Sequence, residues 1–160
     1  TTTHCSSCGL IFIADFDRCH GILSNPRTIQ MPLDSQHNPA DTTWTDRLPV
    51  GLAFSTNGQF LYAAGYSNIY QYDLQDTNQN TAWFYVHGID TTASEFAGYT
   101  SIDLAPNGKM YIGHLQGTSH QMSVIDNPDL AWNACNFSSL GKSKCDGSAK
   151  PQCALIAPPK

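Results

Sequence analysis

The chain has 160 residues, enough for one domain with a real hydrophobic core. Charged residues make up 13% and apolar residues 41%, which excludes a disordered, charge-rich chain. A net charge of -5 with no basic cluster, Lys142 and Lys144 being the nearest thing to one, argues against a nucleic-acid partner. No run approaches the ~20 apolar residues of a membrane span.

Elements follow from period-two alternation and from turn residues. "LIFIADF" at 10 to 16 reads as a strand, and "DRCHG" turns it with Gly21 free to adopt a positive φ. "ILSNPRTIQM" at 22 to 31 returns as an edge strand, because Pro26 lacks a ladder donor. Residues 32 to 49 hold three prolines and no periodicity, hence a long loop. Four strands are then expected at 50 to 55, 59 to 66, 68 to 74 and 82 to 89. The order begins again at 100 to 105, 109 to 115 and 121 to 126. Asn57-Gly58 and Asn107-Gly108 give hairpin turns at equivalent places in the two series.

A period of about fifty residues with four strands per unit is the pattern of a propeller blade. The expected fold is all-β: a partial β-propeller-like repeat of two to three four-stranded units, with a β-sandwich as the alternative. Residues 1 to 160 form a single β domain. It divides into a half unit at 10 to 31, a full unit at 50 to 89, a second unit at 100 to 137 and an expected disulfide-rich tail at 138 to 160. Closed propellers need about four blades or more, so this chain alone leaves open sheet edges.

"GLAFSTNGQFLYAAGYSNIYQYDL", "IDLAPNGKMYIGHL" and "MSVIDNPDLAWNACNF", preceded by "DFDRCHG", resemble the propeller-like segment of large secreted Bacteroidota proteins of the type IX secretion and gliding-motility kind. The resemblance implies an exported, surface-associated protein and brings no catalytic residues with it.

Cys5, Cys8, Cys19, Cys135, Cys145 and Cys153 cluster at the two ends, which in an exported chain reads as disulfides stapling those ends. Fifteen pairings are open. His4, Cys5, Cys8, Cys19 and His20 stand at zinc-like spacing, but the second half of a zinc ribbon is usually another CxxC. Gly9 after Cys8 rules out the c-type haem motif. The opening "TTTHC" reads as the start of a processed chain whose export signal has been removed.

Asp76, Asn78 and Asn80 place oxygen ligands on alternate positions, as a calcium loop does, though without its glycine and distal glutamate; an Asx turn is the commoner meaning. Calcium is the candidate cofactor. Asp15 and Asp17 offer paired carboxylates, and His114 and His120 flank one hairpin as a weak metal pair. Ser55, Ser101 and Ser123 lack a nucleophile setting, and no catalytic set forms, so no enzyme is expected. Alternation places half of the aromatics between Tyr62 and Tyr85 in the core, leaving the rest for sugar or protein contact.

The expected function is an extracellular structural or adhesive protein that associates with itself through open sheet edges into a filament. Leu10, Ile11, Phe12 and Ile13, apolar on both faces, are the expected assembly strand. The alternative is a glycan- or protein-binding module of a larger secreted surface protein.

Overall fold

The computed structural model describes residues 9–32, 48–78, 82–89, 98–115 and 122–140. They form an all-β chain of three antiparallel sheets. The first is the hairpin of β1 (Leu10–Asp17) and β2 (Ile22–Gln30). The second is a meander of β3 (Gly51–Phe54), β4 (Phe60–Ala64), β5 (Asn68–Asp73) and β6 (Trp83–Gly88). The third repeats that order with β7 (Tyr99–Leu104), β8 (Met110–His114), β9 (Met122–Ile125) and β10 (Phe137–Leu140).

Turn chemistry sets these registers. Gly58 and Gly108 both take positive φ, 71° and 78°, and each donates its N–H back to the residue three earlier, Ser55 or Ala105. The preceding asparagines act alike: Asn57 Oδ1 accepts from the Gln59 amide and Asn107 Oδ1 from that of Lys109. In the first hairpin Asp17 Oδ1 accepts the N–H groups of Cys19 and His20, while Gly21, at φ 68°, closes the turn. Pro26 is absorbed as a bulge. Ile13 pairs with Arg27 and Asp15 with Ser24, so Asn25 and Pro26 both lie opposite Ala14. Asn25 sits at φ 49° and its amide donates to Asp15 at 2.7 Å.

Alternation along β4 and β5 gives the middle sheet two buried faces. Leu61, Ala63, Tyr70 and Tyr72 pack against Ile11, Ile13, Ile29 and Met31 of the hairpin and its end. Phe60, Tyr62, Ala64 and Ile69 meet Tyr99, Ile102, Met110, Ile112 and Ile125 of the third sheet. The middle sheet is thus sandwiched between the other two. Strands β3 and β7 approach so closely that a Cβ on Gly51 would lie 2.7 Å from the Ile102 nitrogen.

The strand boundaries and the burial of β1 add two details to the sequence reading. The second unit ends with a 3-10 turn, Trp132–Cys135, and a fourth strand, β10, which runs to Leu140 instead of leaving a tail from 138. No sequence alternation announces it; it is held by pairing with β9, Phe137 opposite Ile125. The run 10 to 13 is covered on one of its two apolar faces. Ile11 and Ile13 are 3% and 8% exposed, while Leu10 and Phe12 are 48% and 63% exposed, because only one face has a sheet packed on it.

Candidate functional site

The hairpin carries the most unusual surface. Its outer side presents Leu10, Phe12, Phe16 and Leu23, all exposed, and Ile22, on the other face at the hairpin's end, is exposed as well. Among the described residues β1 pairs only with β2, so the edge of β1 away from β2 has no strand beside it. Such an edge presents unpaired N–H and C=O groups and is a template for another strand. Of the four expected assembly residues, Leu10 and Phe12 face outward, and Ile11 and Ile13 anchor the strand to its own core.

Where β2 crosses the end of β5 there is a small hollow with a cavity volume of about 20 Å³, room for about one water. Arg27, Tyr72, Asp73 and Asp76 give it polar walls, and Ile29, Leu74 and Ala82 an apolar floor. The Arg27 guanidinium donates to the Leu74 carbonyl at 2.9 Å, bridging hairpin and middle sheet. Asp73 Oδ1 accepts from the Gln75 amide at 2.9 Å, and the Gln59 side chain approaches the same carboxylate. The Tyr72 hydroxyl is buried with no hydrogen-bond partner among the described residues, and burial pushes its pKa far up. Sequence reasoning missed this hollow, because Arg27 and Tyr72 belong to different sheets.

Of the calcium set, Asp76 Oδ1 accepts the Asn78 amide at 2.8 Å, an Asx turn; Asn80 lies outside the described residues. Asp15 and Asp17 do not act as a pair. Asp15 binds Asn25, and Asp17 caps its turn and holds His20 Nδ1 at 2.6 Å. Those hydrogen bonds, that of His20 first, keep the Asp17 carboxyl below its usual range. Cys19 is an exposed free thiol on that turn, and Cys135 a buried free thiol whose pKa burial pushes up. Cys5, Cys8, Cys145 and Cys153 lie outside the described residues, as do His4 and His120.

The seam between the two large sheets holds a second polar cluster. His87 Nδ1 and the Tyr99 hydroxyl are hydrogen-bonded at 2.8 Å, and the His87 ring stacks on Phe137 with centroids 4.3 Å apart. Burial, with His114 nearby, lowers the His87 pKa. His114 Nε2 meets Ser123 Oγ at 3.0 Å. Ser123 is buried, and among the described residues no three His, Cys, Asp or Glu side chains converge on a metal position. Ser55 is used inside its own turn, accepting from the Phe60 amide and donating to Asn57 Oδ1. Tyr62, Tyr70 and Tyr72 are core side chains.

Fold and site together describe an all-β protein of stacked antiparallel sheets, with one edge of the β1–β2 hairpin unpaired among the described residues. Its sequence matches no protein-family model and no curated protein. No helix among the described residues is long and apolar enough to cross a membrane.

Proposed function

We propose that the chain is an extracellular structural or adhesive protein that associates with itself through the open edge of β1. One observation carries this reading: an edge unpaired among the described residues and a row of exposed apolar side chains, Leu10, Phe12, Phe16 and Leu23, occur on the same two-stranded hairpin. Native proteins usually blunt a free edge with charge or cover it. Here the carboxylates of Asp15 and Asp17 are turned to local hydrogen bonds at the far end of the strand.

The repeat supports the same reading. Two four-stranded meanders with equivalent Asn-Gly turns, stacked with β3 against β7, resemble consecutive propeller blades, and β1–β2 then corresponds to the outer half of an incomplete one. Strands from a second copy complete that sheet, and head-to-tail repetition gives a fibre or a ring according to whether the rotation closes. Low charge and abundant amide and hydroxyl side chains fit an exported surface protein. No catalytic role is part of this reading.

The test is the oligomeric state of the full chain by light scattering and electron microscopy, beside Phe12→Lys. The substitution alters an exposed side chain and leaves Ile11 and Ile13 in the core. Polymers from the native chain and monomers from the variant are expected. A native chain that stays monomeric at high concentration, or a variant that assembles equally well, overturns the reading.

A further inference from the structure

We propose that the open edge of β1 and the bare part of β3 form one notch, and that the strand seated in it is β10 of a second copy; this rests on the self-association proposed above. The hairpin covers only part of the middle sheet. Leu61 and Ala63 of β4 are sealed beneath it, while Trp83 and Tyr85 of β6 are half-buried. Leu52 and Phe54 pair with Ala63 and Leu61 and share their face, yet remain 46% and 48% exposed. Within the hairpin β2 is the strand at β5, since Arg27 donates to the Leu74 carbonyl and Ile29 packs beside Tyr72. This order of burial puts β1 over β4, with its free edge toward β3. A strand paired to that edge stands about 4.8 Å from β1, and packed sheets lie about 10 Å apart, so it roofs Leu52 and Phe54. Edge and floor are one site.

The floor selects the occupant, because β3 takes up the space beneath the added strand. The incoming sheet needs a bare face toward β3 and an unpaired edge toward β1. A second β1, related by a two-fold axis normal to the sheet, fails, since its own middle sheet would fall on β3. The ladder of β2 is broken by the bulge at Asn25 and Pro26, and Pro26 lacks an N–H. Strands β3 and β7 lie against each other. Strand β6 is covered on both faces, at Trp83 and Tyr85 by the hairpin, and at Phe84 and His87 by Trp132 and Phe137. Strand β10 qualifies. Among the described residues it pairs only with β9. The face of its sheet away from Met110, Ile112 and Ile125 carries Asp103 and Met122, both exposed. Pairing of Phe137–Leu140 with residues 10 to 13, ahead of the β1 bulge, brings that face and Met122, 45% exposed, down toward Leu52 and Phe54. The two halves of the contact belong to different sheets of one chain, so it is head-to-tail and leaves one free notch and one free β10 at the ends of each pair.

Sedimentation velocity of the full chain tests this with two variants at exposed positions, Leu52→Glu in the floor and Met122→Glu beside β10. Each alone is expected to need at least about ten-fold more protein to associate than the native chain, since a carboxylate would be buried unpaired. An unchanged melting temperature in each shows that lost association is not lost folding. Mixed in equal amounts, the two variants supply one intact notch and one intact β10, and should run as a discrete dimer in place of a polymer. A mixture that stays monomeric overturns the proposal, as does a Leu52→Glu chain that assembles as well as the native one. In that second case an assembly defect in Phe12→Lys still upholds association through β1, so the two readings fail separately. A native chain that stays monomeric, and loses thermal stability on Leu52→Glu, covers the floor with its own residues and overturns both.

Discussion

The side-chain amide of Gln71 donates to the hydroxyl of Tyr62 at 2.6 Å, and both residues are sealed beneath the connection between β9 and β10. The same amide donates to the Leu130 carbonyl at 2.8 Å, its oxygen accepts the Trp132 amide at 2.8 Å, and Tyr62 donates to the Pro128 carbonyl at 3.1 Å. The second sheet of the chain therefore grips the third through a polar cluster in which every partner is satisfied. Gln71→Leu strands the Tyr62 acceptor, the Leu130 carbonyl and the Trp132 amide, and should lower stability by about 2–4 kcal/mol. Urea unfolding measures this, and a loss below about 0.5 kcal/mol contradicts the cluster's role.

Gly51 faces backbone, so a methyl group there has nowhere to go. Its Cβ would stand 2.7 Å from the Ile102 nitrogen and 3.0 Å from the Ser101 carbonyl carbon. Gly51→Ala should cost about 1–3 kcal/mol or more, whereas an alanine at Ala53, already native on the same strand, marks what the neighbouring position tolerates. Thermal unfolding of the variant beside the native chain is the measurement.

Acid should weaken the seam at His87. Its folded pKa is held below the ordinary value of 6.5, so below about that pH the unfolded chain binds the proton that the folded chain refuses. The stability is complete above pH 6.5 and is lost as pH falls from there through the depressed folded value. Urea midpoints at pH 7.5 and 5 should fall more for the native chain than for His87→Gln. Equal falls would assign the acid sensitivity elsewhere.

The thiols should separate by burial. Cys19 is exposed and Cys135 is buried with its pKa raised, and only the thiolate alkylates quickly. Native protein treated with iodoacetamide should label Cys19 within minutes and Cys135 only after unfolding. Peptide masses without reductant also report whether either residue has entered a disulfide.

Strand positions were legible because alternation and Asn-Gly turns are local signals. The hairpin at Asn57-Gly58 needs only its own five residues. The 3-10 turn and β10 were not legible. Trp132 and Asn136 take positive φ, 57° and 55°, without glycine, and the segment is held by Gln71, about sixty positions away in sequence. For the site, the apolar run at Leu10 to Ile13 was visible, but not that one face alone would be covered, since that depends on the middle sheet. Arg27 and Tyr72 share a hollow only because β2 lies across the end of β5. Nothing in either strand's pattern signals such a crossing.

The grip of Gln71 on the loop at Leu130 and Trp132, joined by the Asn57 amide donating to Asp129 at 2.9 Å, has a geometric consequence. Two apolar sheet faces in contact can swivel over one another at little cost, since burial is non-directional; a set of directional bonds far from the β3–β7 contact fixes the angle between them. In any array built by repeating such sheets, that angle is added once per step. A few degrees at this one cluster then separate a stack that curves back on its start from one that winds onward.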